Sequence, residues 1–365
     1  MRTAIPTDIR DIVAAVTPAD THLAPEALAR QDSLTKPRGS LGRLEELSVR
    51  LYCIQGGGDN GRICPDPARI YTVAGDHGVT ARGVSPYPQE VTRQMVFNLT
   101  AGGAGVSVLA RTVGADLKVV DAGCAGGPFP EHPGLIQAKV MPGTADLSRG
   151  PAMTMEQCVR ALVLGDSLAE SARADGMRSV GLGDMGIGNT TPSTALYCAY
   201  LGLDPEAVTG PGAGLDAAGV RSKAALVRAG LAANAGAVAS GDPVTVLAAL
   251  GGCEIAALAG LALGAAARKM AVLVDGFIAT AAFAAAWKMA PAVADYAFFA
   301  HASAEPGHGL VLEAMGQRPL LDLGMRLGEG TGAALALVLL RAAADTFNDM
   351  ATFASAGVSD KGSQG

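Results

Sequence analysis

Gly181, Gly183 and Gly186 stand at G-x-G-x-x-G spacing in the stretch SVGLGDMGIGNTTPSTAL, residues 179–196. Backbone N–H groups crowded into such a turn, with a helix start behind them, bind phosphate. The spacing also fits a dinucleotide fingerprint, and Asp204 and Glu206 stand near the place of a ribose-holding acid. Against that, the turn falls mid-chain, and its glycines run on through Gly188 to Asn189, Thr190 and Thr191. From this motif alone a phosphate cradle, a dinucleotide site and a purely structural turn all stay open.

Other residues with chemical capacity recur in similar loops. Lys223 follows a second glycine-rich loop, TGPGAGLD at 209–216. A lone helical lysine is ordinarily a solvated charge; beside such a loop it is also a candidate phosphate ligand. Asp275-Gly276 and Ser303-Ala304-Glu305 repeat the pattern of a β-rich run followed by a polar group and a small residue. Glu329 lies in RLGEGTG between two glycines, which give a helix little support. An exposed glutamate there is inert. Partly buried against an apolar wall, its pKa rises and it becomes a base near neutrality. His77, His301 and His308 fall in loop regions without H-x-x-x-H or H-E-x-x-H spacing, so hydrogen bonding is expected of them rather than metal ligation.

These residues need elements to position them. Short β-rich runs at 69–74, 117–121, 179–182, 271–274 and 296–300 each end in a polar or glycine loop. Helical patterns lie between and beside them, at 88–111, 155–175, 192–201, 217–233 and 243–267. This alternation predicts an α/β fold with a mostly parallel sheet flanked by helices. Ligands in such sheets sit beyond the carboxyl ends of the strands, where AGDHGVTARG, DAGCAGG, GLGDMGIGNTT, VDGFIAT and AHASAEPGH fall. Helices are expected at 25–30 and 40–55, the second capped by Ser40 after the breakers Pro37 and Gly39. A last apolar helix follows the turn at Gly330 and Thr331, either of which could cap it. The expected division is a small helical domain from 1–60 plus 330–356, a large α/β catalytic domain at 61–329, and a flexible tail at 357–365.

Composition narrows the class. Of 365 residues, 49% are hydrophobic and 17% charged, which supports a sizeable core and excludes bulk disorder. A formal net charge of −6 argues against nucleic-acid binding. The apolar run at 255–267 has 13 residues, short of the roughly 18–20 that span a bilayer, so a buried core helix is expected. Six dispersed cysteines without a C-x-x-C pair, and no secretory signal at the start, point to reduced thiols in a cytoplasmic enzyme.

Taken in order, KPRGSLGRLEEL, AGDHGV, VTRQMVFNLTAGGAGVSVLA, DMGIGNTT, GLDAAGVRSK, LAALGGCEIAALAG, VDGFIATAA, HASAEPGHGLVL and LDLGMRLGEGTGAALAL resemble the nicotinate-nucleotide–dimethylbenzimidazole phosphoribosyltransferase family over nearly the whole chain. The resemblance implies transfer of phosphoribose from nicotinate mononucleotide to 5,6-dimethylbenzimidazole, giving α-ribazole 5'-phosphate and nicotinate during cobalamin nucleotide-loop assembly. It also implies a Rossmann-like large domain, a small domain from both chain ends, a homodimer, and neither metal nor cofactor. The family's catalytic base falls on Glu329 and its phosphate lysine on Lys223. Phosphate contacts fall on Gly186, Gly212, Gly276 and Ser303. By the same resemblance Met185 and Leu327 would line the aromatic pocket, to which Tyr87 and Gln94 of GVSPYPQEVTRQM would also belong. Asp184 stands where the family usually has glutamate, and Pro211 and Ala213 stand for its usual arginine and threonine. The chemistry is consistent with one carboxylate. Nicotinate leaves as a neutral ring and needs no general acid, while the attacking benzimidazole must lose its N–H proton. The competing classes are a dinucleotide-dependent oxidoreductase and a nucleotide-binding protein without catalysis. Related azoles and purines could also fit a flat apolar slot.

Overall fold

The structure is a computed structural model that describes residues 7–359. The tail expected to be flexible lies mostly at 360–365, outside the described residues. Six strands form one sheet: β1 Ala68–Gly75, β2 Asp116–Gly123, β3 Leu135–Gln137, β4 Ser179–Met185, β5 Ala271–Val274 and β6 Ala297–Phe299. Their order is β3-β2-β1-β4-β5-β6, and every neighbouring pair is parallel. Parallel sheets are covered on both faces, so their strands read as apolar runs without alternation. All eight residues of β1 and all four of β5 are buried accordingly. The order reverses between β1 and β4, which opens a crevice at their carboxyl ends.

The structure adds one strand and breaks two expected helices. The edge strand β3 has three residues, half-buried or exposed, too few for a period to show. The pattern at 88–111 is two helices, Glu90–Thr100 and Gly105–Val113, separated where Gly102 takes a left-handed φ of 83°. The pattern at 243–267 likewise splits into Pro243–Leu250 and Cys253–Ala267 around the extended Gly252. Ser40 does not cap the N-terminal helix. That helix, Arg43–Ile54, starts after Gly42 with no side-chain cap, and the Glu45 carboxylate instead accepts the Leu41 N–H at 2.9 Å and pairs with Lys36 at 2.8 Å.

The interior is closed by small residues. Helix Cys253–Ala267 is buried from Cys253 to Ala266, and among the described residues no helix is long and apolar enough to cross a membrane. It meets helix Met155–Ala174 backbone to backbone. A Cβ on Gly165 would fall 1.9 Å from Ala257 O, and one on Gly260 would fall 1.9 Å from Leu162 O. The C-terminal helix Thr331–Asp349 begins against the sheet, where Ala333 packs over Gly181. Its far end packs on the N-terminal helices, with Phe347 and Tyr52 ring centroids 5.6 Å apart and Arg30 donating to the Phe347, Asn348 and Met350 carbonyls. All six cysteines are free thiols and only Cys64 is exposed.

Candidate active site

A cavity of about 460 Å³ opens beyond the carboxyl ends of β4, β5 and β6. Tyr87, Asp184, Met185, Gly186, Gly212, Gly276, Ser303, Leu327 and Glu329 all line it. Two residues expected in the site stand elsewhere. Gln94 is exposed on helix Glu90–Thr100 and is not in the wall; Val91 and Met95, one turn apart, present the face that is. Lys223 is buried one layer behind Thr190 and Gly212.

Glu329 is held by backbone geometry. Gly328, Glu329 and Gly330 have φ of 80°, 63° and 101°, three left-handed residues in succession. A non-glycine residue there costs roughly 1–2 kcal/mol. Two backbone hydrogen bonds offset it at about 1 kcal/mol each: Glu329 N–H donates to Asp184 O at 3.1 Å, and Thr72 Oγ1 donates to Glu329 O at 2.6 Å. Close approach of this turn to β4 requires Gly183, whose Cβ would lie 2.2 Å from Glu329 O. The side chain then reaches the start of helix Gly105–Val113, where Oε2 accepts the Val106 N–H at 3.1 Å. Burial raises the Glu329 pKa, and the Val106 and Gly105 N–H groups counter it only partly.

The turn is anchored from a distant strand. Asp275, just past β5, accepts from Gly330 N–H at 3.1 Å on Oδ2, and from Gly332 and Ala333 N–H at 2.6 and 3.1 Å on Oδ1. Gly330 is thus the N-cap residue of helix Thr331–Asp349, but the capping carboxylate comes from Asp275, and Thr331 Oγ1 donates to Gly328 O at 2.8 Å. In the sequence Asp275 stands out only as a polar residue after a strand. Its role needs a partner 55–58 residues away, which no local pattern carries.

Asp184 is the penultimate residue of β4, and its Oδ2 accepts from Asn189 Nδ2 at 2.9 Å. Burial, with the nearby Asp275 carboxylate, pushes its pKa up to about 8, which favours the protonated form that can donate a hydrogen bond.

The opposite end is built from glycine loops and a helix start. Helix Thr190–Leu201 begins directly after the Gly186–Asn189 turn, and its first residue, Thr190, lines the cavity at the positive end of the helix dipole. Lys223 Nζ donates to Thr190 Oγ1 at 2.6 Å and to Gly210 O at 3.2 Å. Burial lowers its pKa to about 8, opposed by the Glu305 carboxylate. Arg326, at the lip, donates to Gly212 O at 3.2 Å. Ser303 N–H donates to His308 Nδ1 at 2.9 Å, so His308 carries its proton on Nε2, which donates to Thr280 Oγ1 at 3.0 Å. Burial and the neighbouring His301 push the His308 pKa down to about 3. His77 is outside the cavity wall. It pairs with Glu254 at 2.7 Å; burial disfavours its charge, yet the carboxylate outweighs that and raises its pKa. Thr190, Glu305 and Arg326 are not among the site residues that the sequence predicts, yet all three line the cavity.

This arrangement can hold an anion at one end and remove a proton at the other. A phosphoribosyltransferase family profile matches residues 16–358. The nicotinate-nucleotide–dimethylbenzimidazole phosphoribosyltransferase of Nitratidesulfovibrio vulgaris strain DP4 is 64% identical over 97% of this chain and 98% of its own length. The enzyme of that name from Geobacter sulfurreducens is 48% identical, with 96% and 98% covered. The crystal structure of CobT from Thermus thermophilus superposes with a TM-score of 0.87 at 47% identity, covering 93% of this chain and 99% of that one.

Proposed function

The chain belongs to the nicotinate-nucleotide–dimethylbenzimidazole phosphoribosyltransferase family, and from that premise we propose that it transfers phosphoribose from nicotinate mononucleotide to 5,6-dimethylbenzimidazole, with inversion at the anomeric carbon and Glu329 as general base. The bond from the anomeric carbon to the pyridinium nitrogen breaks, and its electron pair stays on nicotinate, which leaves as a neutral ring. The pyridine-type nitrogen of dimethylbenzimidazole forms the new bond from the opposite face, so β becomes α. The cation so formed loses its N–H proton to Glu329, which leaves neutral α-ribazole attached to its 5'-phosphate. One raised-pKa carboxylate suffices for this balance.

The observation that carries the reading is the shared cavity: the Glu329 carboxylate lines the same 460 Å³ space as the glycine loops of Gly186, Gly212 and Gly276. Met185, Leu327 and Tyr87 supply apolar surface for a flat ring on the Glu329 side, and the Thr190 helix start, backed by Lys223, suits the phosphate. Holding both substrates in line accounts for much of the acceleration such a site can give. Incubation with nicotinate mononucleotide and dimethylbenzimidazole should produce α-ribazole 5'-phosphate and nicotinate in equal amounts by chromatography. Product with retained β configuration, or none at all, would overturn the reading. Hydride transfer with a reduced nicotinamide dinucleotide would return it to the oxidoreductase class. We further propose a cytoplasmic homodimer, for which light scattering should give twice the 36.6 kDa chain mass.

A further inference from the structure

We propose that His301 binds a ribose hydroxyl of the mononucleotide through Nε2, an assignment that rests on the substrate reading above. His301 is buried to 1% exposure yet lines the cavity, and neither ring nitrogen has a hydrogen-bond partner among the described residues. A buried imidazole left unpaired costs stability, so an unpaired one facing a cavity marks a contact kept for a ligand.

The space in front of it is shaped by glycine. A Cβ on Gly276 would lie 2.9 Å from His301 Nε2, 3.5 Å from Cε1 and 3.8 Å from Ser303 Cβ. Gly276 and Ser303 both line the cavity, so the missing side chain leaves an opening at hydrogen-bond distance from that nitrogen. On the other edge of the ring a Cβ on Gly332 would come within 2.2 Å of Cδ2. The imidazole is therefore clamped between two glycine backbones, with one nitrogen turned to the opening.

Position and charge select the hydroxyl. Asp275 Oδ1 lies 3.7 Å from Nε2, and the same oxygen accepts from Gly332 and Ala333 N–H in the helix start behind Glu329. His301 thus stands beside the helix start behind Glu329 on one side and faces the Gly276–Ser303 opening on the other. In a mononucleotide the ribose occupies that interval between ring and phosphate. The adjacent Asp275 carboxylate also repels a phosphate dianion but not a neutral hydroxyl, and it favours the proton on Nε2, which makes that nitrogen the donor.

Calorimetry with nicotinate mononucleotide, its 2'-deoxy and 3'-deoxy analogues, and nicotinate riboside tests this. The parent should bind one deoxy analogue about 3–10-fold more weakly, the usual worth of one neutral hydrogen bond. His301→Leu should lose the same factor on the full mononucleotide and on the riboside, and lose nothing further on that analogue. His301→Gln, which keeps a donor near Nε2, should recover part of the loss. Equal losses by His301→Leu on every ligand would reduce the residue to a structural role. A loss that vanishes on the phosphate-free riboside would move the contact to the phosphate and overturn the proposal. If the leucine variant does not fold, imidazole nitrogen NMR of the parent decides: the His301 signal should move with the riboside and stay with inorganic phosphate, and the reverse pattern overturns the assignment. A parent that neither binds nor turns over the mononucleotide would fail the substrate reading itself, before His301 is in question.

Discussion

At one end of the cavity the Glu329 carboxylate is fixed by its own left-handed backbone and reaches the wall directly; at the other the Lys223 ammonium stands one layer back and acts through Thr190 and a glycine loop. Both are buried, and burial moves each toward its neutral form: the acid upward, the lysine down to about 8. The consequences differ. A carboxylate with a raised pKa is suited to change protonation during turnover. A lysine poised near 8 is suited to gain its full charge when an anion arrives. The first end should therefore be sensitive in rate, the second in affinity.

The largest expected effect breaks the comparison at the acid. Glu329→Gln should keep the fold and mononucleotide binding while lowering turnover by about 10²–10⁴-fold, the usual range for a general base. Steady-state kinetics with parallel calorimetry would show it, and unchanged turnover would remove Glu329 from that role. At the other end, Lys223→Ala removes the charge that backs Thr190 and should weaken the mononucleotide by about 10–150-fold, taking roughly 1.5–3 kcal/mol as the worth of a charge-assisted hydrogen bond. Free dimethylbenzimidazole, which carries no phosphate, should bind as before. Equal losses for both ligands would make Lys223 a support of the whole cleft.

A pH titration sharpens the contrast without mutation. Lys223 in the free protein is charged below pH about 8, and phosphate favours the charged form. Mononucleotide affinity should fall as pH rises through that value, by at most about tenfold per pH unit for the one proton linked to Lys223. Lys223→Ala should flatten this limb, and a parent profile with no limb would refute the linkage.

The smallest effects fall on Asp184. Its folded pKa lies above the ordinary 3.8, so the folded state holds a proton that the unfolded state has lost between about pH 4 and 8. The parent should lose stability across that window as pH rises. Asp184→Asn, which cannot titrate, should gain on the parent over the same interval in thermal melts. If Asp184 also meets substrate, Asp184→Ala should raise the Michaelis constant about 3–10-fold, the worth of one hydrogen bond, and Asp184→Glu should behave like the parent. Parallel melting curves and unchanged kinetics would leave Asp184 as a plain strand residue.

Much of this is legible in the chain. Alternating strands and helices predict the parallel sheet, and the glycine flanks mark Glu329. The reason for those glycines is not legible, because it lies in Gly183 approaching the Glu329 carbonyl and in Asp275 accepting three N–H groups from another strand. The helix breaks at Gly102 and Gly252 escape sequence reading, since a glycine within a periodic apolar run either stops a helix or packs inside it, as Gly165 and Gly260 do. A motif alone assigns Gln94 to the pocket. The one-residue choice between it and Met95 depends on helix phase, which the motif does not carry.

The Glu329 backbone is tied to Asp184 O on β4 and to Thr72 on β1, the two strands that flank the crevice. A loop residue is thereby given the solidity of the sheet. Its amide should exchange with deuterated solvent on the slow timescale of the strands rather than the fast one of surface turns. With the proposed base held in place, adjustment is left to the exposed rim, where Tyr87 and Leu327 stand 52% and 59% exposed. Entry of the ring and release of nicotinate would then be governed by those two side chains, with the Glu329 backbone as the stationary reference around which they move.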